Sequence, residues 1–178
     1  VGELRGEESY VFFQALASGH TGLSTLHAYS AEMAIRRLLS KPMEIPATLL
    51  TSLGVIVQIS VVAKGDEITR RVTRVEEVID VQEDRPILNR VFEWRRDDDS
   101  IVNVNDSVLV NRIIENHALQ PDETKAELNR REKLITLMVK NNVSSPSSVF
   151  EIINKYYVNP EETFNELNER NTGEVSEG

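Results

Sequence analysis

The sequence predicts an α/β protein with an antiparallel β extension and a helical C-terminal subdomain. Three observations predict it. Residues 1–63 alternate between helical and strand patterns, and residues 55–104 read as strands broken by polar turns. From Asp106 onward, apolar residues recur at helical spacing. The expected domains are therefore 1–104 and 105–178.

The elements follow in order. Glu7 to Leu16 reads as a helix with Tyr10, Phe13 and Ala17 on one face, broken by Gly19-His20-Thr21-Gly22. Leu23 to His27 is short and apolar-rich, like a central strand. Ser30 suits an N-cap and Glu32 the first turn of the next helix, which carries Met33, Ile35, Leu38 and Leu39 and stops before Pro42. Pro46 opens another helix, closed by Gly54. Val55 to Ala63 reads as a buried strand, and Lys64-Gly65-Asp66-Glu67 as a hairpin turn. Ile68 to Val81 is a long strand, interrupted by Asp84-Arg85-Pro86. Val91 to Trp94 and Ile101-Val102 bracket the turn Asp97 to Ser100.

Helices are then expected over three further stretches after the one carrying Leu109, Val110, Ile113 and Ile114. Pro121 opens one with Leu128, Ile135 and Met138 in step. Ser145-Pro146 opens the next, with Val149, Ile152, Ile153 and Tyr156. Asn159-Pro160-Glu161-Glu162 has capping-box spacing for the last, with Phe164 and Leu167. The tail after Asn171 is polar and expected to fray.

Composition excludes several functions. The 178 residues carry a net charge of -9, which repels phosphate backbones and disfavours direct nucleic-acid binding. The chain has no cysteine, so disulfides, thiolate zinc sites and cysteine nucleophiles are out. No run approaches the roughly 20 apolar residues of a membrane-spanning helix. The first residue is Val1, and a processed chain or a fragment is expected.

Two segments carry chemistry. Val1-Gly2-Glu3-Leu4-Arg5-Gly6-Glu7-Glu8 resembles the end of a Walker B segment, where a strand delivers a carboxylate to the γ-phosphate of a nucleotide. Downstream, Ala17 to Ala28 contains Gly19-His20 and Ser24-Thr25-Leu26-His27 and resembles the histidine box of secretion ATPases. The combination is specific, because both segments stand in the family's order with its helix between them. Ala34-Ile35-Arg36-Arg37-Leu38, Lys41 to Pro46 and Arg70 to Val78 are similar to the archaeal branch of type II/IV secretion system ATPases, which drive secretion, pilus assembly and the archaeal flagellum. Gly6 and Ser9 depart from the pilus-retraction branch, which has an acid and a threonine there. The similarity is strong over about residues 1–95 and looser beyond.

This resemblance implies the C-terminal portion of a RecA-like phosphate-loop NTPase core. It implies that Glu3 is the catalytic glutamate and that His27 reaches the nucleotide phosphates. Arg5 would anchor the Glu3 loop, Thr25 would help orient His27, and His20 would be secondary. It implies ATP and Mg2+, bound mostly by residues upstream of this chain, and no metal site here. It implies sibling subunits in a homo-hexamer, a membrane platform protein as partner, and a peripheral place at the cytoplasmic face of the membrane. His117, after a helix end, reads as structural. Arg70, Arg71 and Arg74 read as a solvated face paired with Glu76, Glu77 and Asp80, or as a contact to a neighbouring subunit. Tyr156-Tyr157 reads as core. The alternatives are a non-catalytic docking domain and a DNA-transfer ring ATPase.

No Gly-x-x-x-x-Gly-Lys-Ser/Thr occurs, so the amides and lysine that cradle nucleotide phosphates are missing from these residues. Phosphoryl transfer rests on positioning and charge stabilisation. These 178 residues alone are therefore expected to release no phosphate from ATP above background; robust turnover that depends on Glu3 would overturn this.

Overall fold

The computed structural model describes residues 2–64, 67–83 and 85–173. The expected turn at Gly65-Asp66, the Asp84 break and the tail from Glu174 lie outside the described residues. The chain divides into two units, Val1–Ile113 and Ile114–Gly178.

The first unit contains helices α1 (Glu8–Ala17), α2 (Ala31–Leu39) and the single turn α3 (Ala47–Leu50). They precede strands β1 (Val55–Lys64), β2 (Glu67–Gln82), β3 (Arg85–Arg95) and β4 (Ser100–Asn103). The strands form an antiparallel sheet in the order β1-β2-β3-β4. Helix α2 starts where its sequence requires: the Ser30 hydroxyl accepts from the Met33 amide at 3.2 Å, and Glu32 sits against the positive helix end. Its buried residues Ala31, Ala34, Ile35 and Leu38 fall at i, i+3, i+4 and i+7, so one stripe faces the sheet. Phe13, Ile35, Leu50 and Val78 are buried almost completely in the shared core, at about 1.5–3 kcal/mol for each large side chain.

Three expectations change here. Leu23–His27 is not a central strand. It contributes a single parallel bridge, Thr25 with Glu3, and Leu23 is 92% exposed. Among the described residues only 2–4 pair with it, too short a partner to make it a strand. The apolar run at Val55–Ala63 is a strand but not a buried one. β1 lies at the sheet edge, and its alternate residues Val55, Val57, Ile59 and Val61 face outward, since strand side chains alternate between faces. The arginines also pair differently. Arg71 bonds Asp99 at 2.9 Å, Arg74 approaches Glu93 at 3.6 Å, and Glu76 is held by Arg90 at 3.2 Å. Register decides two of these: Arg74 lies opposite Glu93 and Glu76 opposite Arg90 across β2 and β3, while Arg71 reaches the turn before β4.

Glu77 does a separate job. It is 3% exposed, and its carboxylate collects hydrogen bonds from the Ser107 hydroxyl, the Asn89 amide at 2.9 Å, and the backbone amides of Val108 at 2.8 Å and Leu109 at 3.4 Å. It thus caps helix α4 (Val108–Asn116), with Ser107 accepting from the Val110 amide at 3.0 Å. Burial alone pushes the Glu77 carboxyl up. The donors from Ser107, Asn89, Val108 and Leu109 outweigh it, and the group sits below the ordinary glutamate value.

The second unit holds α5 (Pro121–Lys140), α6 (Pro146–Val158) and α7 (Pro160–Gly173). Leu134, Leu137 and Met138 of α5 pack with Ile152 and Tyr156 of α6 and with Phe164 and Leu167 of α7. Leu128 and Ile135 are instead 45% and 58% exposed, because the packed stripe of α5 is centred on Leu134, Leu137 and Met138. The tyrosine pair splits. Tyr156 is buried edge-on to Phe164, while Tyr157 is 67% exposed under the Arg131 guanidinium. Asn159 and Glu162 cap α7 reciprocally, Glu162 N donating to Asn159 Oδ1 at 3.3 Å and Asn159 Nδ2 to Glu162 at 2.9 Å. No helix of the described residues is long and apolar enough to cross a membrane.

Glu77→Gln keeps the shape but replaces one acceptor oxygen by a donor facing four donors. It is expected to cost about 1–3 kcal/mol, read as a lowered urea midpoint. Because the folded carboxyl is lowered, its stabilising contribution holds above pH 4.5 and fades only as pH falls through that lowered value, so the deficit of the variant shrinks there. An unchanged midpoint at pH 7 would refute the capping role.

Candidate active site

The site is built on two short segments brought side by side. Leu4 N donates to Thr25 O at 2.9 Å, Thr25 N to Gly2 O at 3.3 Å, and the Thr25 hydroxyl to Gly2 O at 2.7 Å. Leu4 turns into the core at 5% exposed. Side chains alternate along an extended segment, so Glu3 turns the other way. That face carries His27, and Glu3 Oε1 lies 3.5 Å from His27 Nε2.

Arg5 completes the cluster, its Nη2 contacting Glu3 Oε2 at 2.5 Å. The Arg5 hydrogen bond holds the Glu3 carboxyl below the ordinary glutamate value, with the charges of Arg5, His27 and Arg37 acting in the same direction. Glu3 is therefore a carboxylate at neutral pH. Arg5 occupies one oxygen. The other faces His27 across a gap at the outer limit of hydrogen bonding. The Glu3 side chain is 23% exposed and that of His27 84%, so water reaches both.

The backbone between Glu3 and α1 is fixed by Glu8. Its Oε1 accepts from the amides of Arg5 at 3.0 Å and Gly6 at 2.9 Å, which also keeps its own carboxyl low. The turn after α1 needs its glycines. Gly19 has φ +92°, and a Cβ on Gly22 would lie 2.8 Å from the Phe12 ring. His20 sits in that turn, its Nδ1 3.2 Å from Ser18 Oγ, without an observed contact to Glu3.

The structure thus brings together Glu3, Arg5 and His27. Thr25 fixes the backbone under Glu3 and has no observed bond to the His27 ring. Three residues at the site lie outside the two segments that carry chemistry. Arg37 Nη1 donates to His27 O at 2.7 Å, and Gln58 Nε2 donates to Tyr29 O at 2.9 Å. Arg36, with Arg37 and His27, lines an open cavity of about 670 Å³. Consecutive arginines near a helix end were the available signal.

Comparison with known proteins bears on this site. The family described as type II/IV secretion system protein matches residues 1–91. An uncharacterized protein of Methanocaldococcus jannaschii is 38% identical over 143 residues, covering 79% of this chain and 53% of its own length. A second one from that organism is 32% identical over 164 residues, covering 88% and 30%. The type IV secretion system protein PtlH of Bordetella pertussis is 56% identical over 45 residues, or 25% of this chain and 13% of its own. The chain spans about half the length of the first of these relatives and less of the others. A match that runs from the Glu3 segment through the His27 loop to Val91 of β3 makes this chain a member of the type II/IV secretion system protein family.

Proposed function

We propose that this chain is the C-terminal part of a secretion or pilus ATPase in which Glu3 and His27 act on the terminal phosphate of ATP, the substrate. The observation that carries the reading is the 3.5 Å approach of Glu3 Oε1 to His27 Nε2, with Oε2 already held by Arg5. The family match and the relationship to a type IV secretion system protein support it.

In this reading the free oxygen of Glu3 accepts a hydrogen bond from the attacking water and orients it toward phosphorus. His27 Nε2 donates to a γ-phosphate oxygen and loses that bond when phosphate leaves, which reports hydrolysis to the loop. Arg5 keeps Glu3 ionised. Among the described residues no group of three histidine, aspartate or glutamate side chains is placed to hold a metal ion. The magnesium that the resemblance implies would be held mostly by residues upstream of this chain and by the nucleotide phosphates. The parallel bridge between Glu3 and Thr25 supports reading residues 1–104 as the C-terminal half of a RecA-like core with its antiparallel β extension. Sibling subunits in a hexamer and a membrane platform protein would be the partners, with the motor peripheral at the cytoplasmic face.

A second reading is favoured by one observation. The helical unit has its own core and exposes Phe150, Tyr157 and Val158 on α6, as a docking module would.

Two measurements test the proposal in the protein at the length its gene encodes. Glu3→Gln should keep ATP affinity within about threefold and lower kcat by roughly 10²–10⁴; loss of binding would make Glu3 structural instead. Arg5→Gln removes the main cause that lowers the Glu3 carboxyl. The Glu3 titration midpoint, followed by carbon-13 NMR of the carboxyl, should then rise toward 4.5, and the acid limb of turnover should move up with it. An unmoved midpoint would deny Arg5 that role.

A further inference from the structure

We propose that Arg37 is the positioning residue for the His27 imidazole; the inference rests on the phosphate-facing role of His27 argued above. The segment from Thr25 to Ser30 is pinned at several backbone atoms, and the tie at His27 itself is Arg37, whose Nη1 donates to His27 O at 2.7 Å. The route is a consequence of helix geometry. Side chains on a helix lean toward its N-terminus, so the long stem of Arg37, in the last turn of α2, runs back to the loop that precedes the helix. The helix beneath it is rigid, because Ile35 and Leu38, on either side in sequence, are 0% and 2% exposed. Arg37 therefore transfers the fixed position of the core to a loop whose own ring is largely in water.

The second observation is electrostatic. A guanidinium has five donors in a rigid plane, and one suffices for a carbonyl. Arg37 also lines the open cavity that His27 lines. The Arg37 charge also reaches Glu3, where it helps hold the carboxyl down. Arg37 thus fixes the backbone of His27 and adds positive charge beside the place where a phosphate would meet the imidazole. It is assigned a positioning role because its observed bond is to the His27 backbone.

The test is a double-mutant cycle on steady-state ATP turnover, in the protein at its full encoded length. Arg37→Ala should lower kcat about tenfold with KM changed less than about threefold, since the loss falls on the transition state. Arg37→Lys, which keeps a charge and a donor, should recover at least about a third of the turnover. In a His27→Ala background, Arg37→Ala should cost less than about twofold, because residues that act through one another are not additive. An equal penalty in both backgrounds would assign Arg37 a general structural role and overturn the inference. So would normal turnover of Arg37→Ala beside a crippled His27→Ala. Should Arg37→Ala fail to fold, Arg37→Gln carries the same cycle under the same criteria. Glu3→Gln, run alongside, separates the two levels. If it stays active, the site reading falls and takes this inference with it. If it is inactive while the Arg37 penalty is additive, only the inference falls.

Discussion

Two backbone hydrogen bonds between Gly2-Glu3-Leu4 and Thr25 hold the candidate site in register. A single parallel bridge is weak by itself, since it orders several residues for little contact. It persists because Leu4 is buried against the same core as Phe13 and Ile35. Alternation along the extended segment then sends Glu3 to the opposite face, toward His27. The distance between carboxylate and imidazole is thus a product of apolar burial one residue away.

The contrast between Glu3 and Glu77 shows how one residue type is given two jobs. Both carboxyls are held below the ordinary range. Glu77 reaches this state in a buried place, with four protein donors closing around it, and little capacity is left for anything else. Glu3 reaches it through Arg5 on one oxygen, leaving the other open to water. The first arrangement anchors a helix to the sheet. The second leaves an ionised oxygen free for chemistry.

Local signals in the sequence carried far. The capping residues Ser30 and Asn159, the helix-opening prolines and the Asp97–Ser100 turn act over three or four residues, and the structure follows them. What depended on long-range pairing was not legible. The run Val55–Ala63 has the composition of an inner strand, and only the sheet order shows that it lies at an edge. The partners of Arg74 and Glu76 follow the register of β2 against β3, and that of Arg71 lies in the turn before β4; neighbours in sequence encode neither. At the site, the proximity of Glu3 and His27 was readable from motif order. The ties from Arg37 and Gln58 were not, because each joins a side chain to a backbone carbonyl, and any residue could supply the acceptor.

The exposure of the site bears on how strongly it can act. Arg5 and His27 are 71% and 84% exposed, and Glu3 is the best covered of the three. Coulomb attraction at fixed distance scales inversely with the effective dielectric, so moving such a pair from water to a protein surface strengthens it about fourfold. Stabilisation of a developing phosphate charge grows as water is excluded. The groups on this chain supply the geometry and the sign of the field. On the proposed function, its strength would be set by whatever covers the cavity beside His27 once a nucleotide binds. On that reading, pinning the backbone of the His27 loop would keep the ring in place while water still surrounds it.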